Sequence, residues 1–327
     1  MKAIIQQKYG PPEEVLELRE MKIPQAGAGE VLVRVVAAPV AGDDWHLVRG
    51  LPLAARPVLG LRRPRNRVPG LELAGRVMAV GEGVDRFRPG DEVCGWCRGA
   101  FAEYAAVAAK NLVPKPQKLT FGQAAALPIS GFTALQALRD RGDVRPGQQV
   151  LINGAAGGVG TMAVQIARAL GAEITGVCGA RNSGLVRSLG AVKVIDYAVE
   201  DFTRGGRRWE LIVDMIGNHT LAALRRALAP RGILVMVGAR GGPWFMGTDR
   251  WLKAIALSPF IDQRLRPLVH QDRLDDLEHL WKLAEEGRLT PVIDRNYPLA
   301  AAAEAIRSLE SRLARGKVII ETGTGHG

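Results

Sequence analysis

The stretch from Val150 to Leu170, VLINGAAGGVGTMAVQIARAL, leaves this chain few ways to fold. An apolar run (Val150, Leu151, Ile152) enters a turn built on Ala155-x-Gly157-x-x-Gly160. The turn leads straight into apolar residues at helical spacing: Met162, Val164, Ile166, Ala167 and Leu170. That order reads as strand, glycine turn and helix. Such a turn brings backbone N–H groups and the positive end of a helix against a diphosphate, and a side chain larger than Gly or Ala would block the approach. The pattern points to a dinucleotide site at Ala155, Gly157, Gly158, Val159 and Gly160.

The context strengthens the reading. Downstream come an apolar run at Ile174 to Cys178, a helix-like stretch from Asn182 to Leu189, and strand-like runs at Val192 to Ile195, Leu211 to Val213 and Ile233 to Val237. Between the last two lies Thr220 to Leu228, apolar at helical spacing. Strands alternating with helices at this interval predict a parallel sheet covered on both faces.

A chain of 327 residues is long for one core, so two domains are expected. Hydrophobic content of 47% with 24% charged residues describes an ordinary globular protein. No apolar stretch approaches the length of a membrane span and MKAIIQQKYG lacks a signal peptide's apolar core, so a cytoplasmic protein without a membrane partner is expected. Net charge of +11 permits acidic partners, with one dense patch at Arg62, Arg63, Arg65 and Arg67 in a proline-rich loop. No aromatics interleave with that patch, and a solvated basic surface is favoured over a nucleic-acid groove. The cysteines Cys94, Cys97 and Cys178 cannot build a disulfide framework, and Cys94-x-x-Cys97 has no second pair to complete a zinc site.

Before the glycine turn the chain reads as short strands: Ile4 and Ile5, Val15 to Leu18, Glu30 to Ala38, Gly75 to Val80, Glu92 to Trp96 and Phe101 to Val107. Many short strands without helices imply a small barrel-like β domain. Ala41 to Gly50 concentrates polar and aromatic groups, as a pocket wall would, and Leu51 to Pro69 is proline-rich and largely irregular. Gln123 to Arg139 turns helical apart from an interruption at Pro128 to Gly131. Past Phe260, amphipathic helices are predicted at Leu274 to Glu286 and Ala300 to Leu313. A last strand, Val318 to Ile320, is expected to rejoin the first β domain.

In this order, several motifs resemble the medium-chain dehydrogenase/reductase superfamily, most closely its zinc-independent quinone oxidoreductase branch. They are Val68-Pro-Gly-Leu-Glu-Leu-Ala-Gly75, Gly81-Glu-Gly-Val84, Pro89-Gly-Asp-Glu-Val93, Gly99-Ala-Phe-Ala-Glu-Tyr104, Gly131-Phe-Thr-Ala-Leu135, Asn153-Gly-Ala-Ala-Gly-Gly-Val-Gly160 and Val194-Ile-Asp-Tyr197. The resemblance implies an α/β fold class: a GroES-like β-barrel domain over 1–127, completed by 263–327, and a Rossmann doubly wound parallel-sheet domain over 128–262. It places the active site in the cleft between them. Zinc-dependent relatives have a cysteine near the position of Ala41 and a histidine before the glutamate, where this chain has Leu71 before Glu72; no metal is expected.

An acidic residue usually meets the adenosine ribose in NAD sites, but Gly176 to Asn182 holds no carboxylate and offers Arg181 after Gly179. A guanidinium clasps a 2′-phosphate that a carboxylate would repel, so NADPH is the expected cofactor. The resemblance adds Tyr197, Gly238 and Lys317 to the cofactor-binding set and Phe260 to the nicotinamide side. Candidate catalytic residues are Asp44 and His46, with Asp43, Trp45 and Thr133 as further pocket residues.

The implied reaction is hydride transfer to a small quinone or α,β-unsaturated carbonyl. Two alternatives stand beside it: an alcohol or aldehyde oxidoreductase of the same fold, and a non-catalytic NADPH-binding, RNA-associated protein. The resemblance also implies a homodimer, pairing through Ile233 to Val237 or strand-like residues near Leu257, with Trp244, Phe245 and Trp251 as interface or pocket wall.

Overall fold

The computed structural model describes residues 1–238, 242–311 and 315–323. The chain opens with β1 (Lys2–Gln6), α1 (Pro12–Val15), β2 (Leu16–Glu20), β3 (Glu30–Val40), α2 (Gly42–Arg49) and α3 (Arg56–Leu59). It continues through β4 (Glu72–Val80), β5 (Glu92–Trp96), β6 (Tyr104–Ala108), β7 (Leu112–Pro114), α4 (Phe121–Ala125) and α5 (Pro128–Gln136). There follow β8 (Gln149–Asn153), α6 (Gly158–Ala169), β9 (Glu173–Cys178), α7 (Ser183–Ser188), β10 (Lys193–Asp196), β11 (Trp209–Asp214), α8 (Leu221–Ala227) and β12 (Leu228–Met236). The remainder holds α9 (Asp249–Leu257), β13 (Arg264–Pro267), α10 (Leu274–Glu285), β14 (Ile293–Pro298), α11 (Ala302–Ser308) and β15 (Lys317–Glu321). Two compact units result, Met1–Ser130 with Asp272–Gly327, and Gly131–Gln271.

In the first unit a sheet runs β14-β15-β3-β4-β5-β7, with β6 also paired to β3. β3 is its spine: Val31, Val33 and Val35 alternate into the core, as β-branched residues on one face of a strand should. Register shifts against β4 at Leu32/Val33 and Val35/Ala37 let this long strand bend and serve several partners. β15 lies antiparallel to β3 and parallel to β14, so the last strand rejoins the first β domain as the sequence predicts.

The second unit is an all-parallel sheet in the order β10-β9-β8-β11-β12-β13. Its central strands carry unbroken apolar runs, Val150 to Ile152, Leu211 to Val213 and Ile233 to Met236, all buried, because helices cover both faces. Chain order reverses between β8 and β11, which places the crevice for a ligand at their carboxyl ends.

The structure departs from the sequence reading in four places. Residues 263–271 stay with the nucleotide unit, because β13 pairs with β12 from Ile233↔Arg264 to Met236↔Pro267; the seam lies after Gln271, not at 262/263. The other seam falls after Ser130, not at 127/128: Pro128 does not interrupt a helix but starts α5, where its missing N–H costs nothing. Ala41 to Gly50, in a domain read as strands without helices, is mostly helix α2. Ile233 to Val237 is flanked by β11 and β13, leaving no free edge there for a second copy, and Leu257 ends a helix rather than a strand.

Candidate active site

The glycine turn is as tight as its sequence demands. Gly154 has φ +91°, and a Cβ there would meet Ile216 Cδ1 at 2.7 Å. A Cβ on Gly160 would fall 2.0 Å from the Gly154 carbonyl oxygen. The N–H groups of Gly154 and Ala155 both donate to Val177 O, at 3.1 and 3.0 Å, which ties the turn to β9. Gly157 caps α6 in extended conformation, so the N–H groups of Gly158, Val159 and Gly160 precede the first N–H that donates within the helix, Thr161 N to Gly157 O at 2.9 Å. They form a donor cradle at the positive end of a twelve-residue helix. A dinucleotide's diphosphate fits this cradle, and a larger residue at 160 would close it.

At the carboxyl ends of β9 and β10 the structure brings Gly179 and Tyr197 together, with Arg181 two residues beyond Gly179. Cys178 pairs with Asp196, and Tyr197 N donates to Cys178 O at 3.3 Å. A Cβ on Gly179 would lie 3.2 Å from Tyr197 Oη, so the phenol covers the glycine directly. Arg181 is exposed in the turn Ala180–Asn182. Gly238 ends the described part of β12's exit, its N–H donating to Asp214 O at 3.0 Å, and a Cβ there would strike Met215 O at 2.0 Å.

A polar node the sequence reading missed underlies this edge. The Asp214 carboxylate is fully buried; Oδ1 accepts from Asn153 Nδ2 at 2.9 Å and Gly217 N at 3.0 Å, and Oδ2 accepts from Arg250 Nη2 at 3.1 Å. Asn153 also donates to Asn218 Oδ1 at 2.9 Å. The node locks the end of β11 to the residue that opens the glycine turn.

In the other unit, acid residues are buried together. Glu72 Oε1 accepts from Ile129 N at 2.7 Å, and Oε2 from Lys317 Nζ at 3.1 Å, with Glu72 and Lys317 0% and 4% exposed. Burial pushes Glu72 upward, opposed by the Lys317 charge. Asp44 Oδ2 accepts from Ala41 N at 2.9 Å, while Oδ1 is buried without a partner. Burial, with the nearby Glu72 charge adding to it, raises the Asp44 carboxyl from 3.8 to about 7. The Cys97 thiol is pushed far up by burial and by the same two carboxylates. Cys94 is pushed to about 12 by burial, and both are free thiols.

The other candidate residues are placed as follows. Burial holds His46 below its ordinary value, and its Nδ1 is buried without a partner. Trp45 spends its indole N–H on Glu310 Oε1 at 2.8 Å and meets the His46 ring edge-on. Asp43 is half-buried beside them, and Thr133 is buried on α5. Lys317 is committed to Glu72 rather than held open for a cofactor. Phe260 does not join the nicotinamide side. It is 83% exposed and precedes β13, at the amino ends of the parallel strands, whereas the glycine turn lies at their carboxyl ends.

Residues 27–117 match the alcohol dehydrogenase GroES-like domain family and residues 189–320 the zinc-binding dehydrogenase family. The chain is 31% identical to the chloroplast envelope quinone oxidoreductase homolog of Arabidopsis thaliana, over 98% of each chain. Among solved structures, the quinone oxidoreductase from Coxiella burnetii superposes with TM-score 0.85 at 29% identity, covering 99% of each chain. The Escherichia coli quinone oxidoreductase complexed with NADPH superposes with TM-score 0.83 at 27% identity, covering 98% of this chain and 100% of that one. With a GroES-like sheet, a parallel nucleotide-binding sheet and these relatives, the chain belongs to the medium-chain dehydrogenase/reductase family, among its quinone oxidoreductases.

Proposed function

We propose that this NAD(P)H-dependent oxidoreductase uses NADPH to reduce a quinone or an α,β-unsaturated carbonyl, without zinc. The observation that carries the cofactor preference is Arg181, exposed in the turn that follows Gly179, with no carboxylate from Gly176 to Asn182. The N–H groups of Gly158, Val159 and Gly160 hold the diphosphate, and Arg181 offers two parallel N–H donors to a 2′-phosphate. When bound, the reduced nicotinamide supplies the hydride. Asp44 supplies what the chain itself can add: a carboxyl that holds a proton near neutral pH, where the adjacent His46 is neutral. The zinc-free reading rests on Ala41 and Leu71 at positions where a metal would need a thiolate and an imidazole, and on Glu72 being occupied by Lys317.

The reading includes a cytoplasmic homodimer. The three free thiols suit a reducing compartment. For the dimer, β13 has one neighbour in its sheet, and Trp244, Phe245, Leu252, Ile255, Phe260 and Val269 are exposed apolar side chains in the same unit. The twofold contact is assigned to this region rather than to Ile233 to Val237. No helix among the described residues is long and apolar enough to cross a membrane.

Fluorescence titration with each reduced nucleotide tests the cofactor. NADPH should bind more tightly than NADH, and Arg181→Ala should weaken NADPH about tenfold or more while leaving NADH nearly unchanged. Equal losses for both nucleotides remove the role given to Arg181. Nucleotide oxidation assayed against a quinone, an enone and an aldehyde tests the substrate class. Turnover of the aldehyde alone points to the alcohol dehydrogenase alternative.

A further inference from the structure

The loop between α2 and β4 has no part in the chemistry above, yet its surface is unusual. From Trp45 to Leu71 the sequence contains no Asp or Glu but carries Arg49, Arg56, Arg62, Arg63, Arg65 and Arg67. Arg49 pairs with Glu310 and Arg56 lies over the Tyr9 ring at 4.9 Å. The other four are exposed, and among the described residues no carboxylate forms an ion pair with any of them. They rim a hollow of ≈ 680 Å³ together with Gly60, Leu61 and Pro64. Two aliphatic side chains stand outward among these charges, Val58 at 71% and Leu61 at 69% exposed.

The loop is held in this shape. Tyr9 Oη donates to Gly60 O at 2.9 Å, Gln6 N to Arg67 O at 2.8 Å, and Arg65 N to Leu59 O at 3.0 Å. Gly60 has φ +121° and a Cβ there would lie 2.1 Å from Arg63 O, so the chain doubles back sharply. The charges and the aliphatic tips are thus arranged in advance, which lowers the entropy cost of docking.

We propose that the loop from Arg56 to Arg67 docks on an anionic lipid bilayer, Val58 and Leu61 entering the headgroup region while Arg62, Arg63, Arg65 and Arg67 meet lipid phosphates. Guanidinium groups around exposed aliphatic side chains match the two demands of such a surface: anionic headgroups outside and a partly apolar boundary beneath them. A single-stranded nucleic acid fits less well, because it calls for aromatic platforms on which bases stack. The loop has no exposed aromatic residue, and the neighbouring Tyr9 ring is covered by Arg56. Surface docking needs no membrane span, and it stands independently of the hydride-transfer reading.

Co-sedimentation of the full chain with vesicles tests the proposal. At low salt the protein should bind vesicles of phosphatidylcholine with 30 mol% phosphatidylglycerol (roughly that fraction supplies a cytoplasmic-type surface charge), stay off pure phosphatidylcholine, and be released by high salt. Each arginine near the surface contributes about a fivefold change in partition, so R62Q/R63Q should bind about 25-fold more weakly. V58S/L61S, which changes no charge, should also weaken binding, by about tenfold. R62K/R63K, which keeps both charges, should retain most of it, and every variant should melt at the wild-type temperature. No binding to anionic vesicles, or equal binding to both kinds, overturns the proposal. So does binding indifferent to V58S/L61S, which marks a general polyanion site; capture of a single-stranded RNA oligomer under those conditions then assigns the surface to nucleic acid.

Discussion

Asp44 shows how far burial alone can carry a side chain from its solution behaviour. Its carboxyl rises from 3.8 to about 7 because water is excluded and Glu72 lies near, so the folded protein holds a proton that the unfolded chain has already lost above pH 4. The unfolded state binds fewer protons over that interval, and stability therefore falls as pH rises from about 4 to about 7. The shift corresponds to at most about 4 kcal/mol. Asp44→Asn keeps an acceptor for the Ala41 N–H and carries no charge. Urea melts across that pH range should show a flatter profile for it than for the wild type. If Asp44 also delivers a proton, the variant loses turnover with nucleotide affinity intact. Lys317→Met leaves a buried carboxylate unpaired and should cost about 3–5 kcal/mol, part of which Glu72→Gln in the same chain restores. Gly160→Ala should abolish nucleotide binding, since its Cβ has nowhere to go. The tight glycine turn was legible in the sequence because its neighbours along the chain carry the pattern. Glu72–Lys317 and Asp214–Arg250 were not, because their partners are 245 and 36 residues apart and only folding joins them.

Strands were read more faithfully than the short helices. The runs at Val150, Leu211 and Ile233 announced buried parallel strands because nothing polar interrupts them. Helix α2 was hidden: GDDWHLVR has little apolar periodicity, and what makes it a helix is local bonding. Asp44 accepts the Ala41 N–H at its start, and Gly50 ends it at φ +64° with Tyr9 packed where a Cβ would go. β13 was missed because RLRP has two arginines in four residues, as befits an edge strand kept from indiscriminate pairing. If that edge and the exposed face of α9 meet a second copy, L252E/I255E should sediment as a folded monomer at micromolar concentration while the parent chain sediments as a dimer. A parent chain that is itself monomeric removes the assignment.

Across the whole chain, the sequence reading anticipated both units and the return of the last strand, while it misplaced both seams. Composition changes where the pattern changes, but the contacts that define a unit do not respect those points, as the capture of Arg264 to Pro267 by β12 shows. Removing residues 315–323 should strip β14 of its partner strand and β3 of the partner along Ala37 to Val40, and expose Glu72. Hydrogen exchange should then show the first unit unprotected while the parallel sheet of Gly131–Gln271 stays protected. Loss of protection throughout would mean that the second sheet cannot stand alone. The position of β15 also sets an order of events during synthesis. The strand that fills the gap between β3 and β14 is translated only after the entire nucleotide-binding sheet, whose strands are near neighbours in sequence. On the ribosome, then, the N-terminal segment must wait half-made, the Ala37–Val40 edge of β3 in need of shelter, until β15 has been translated.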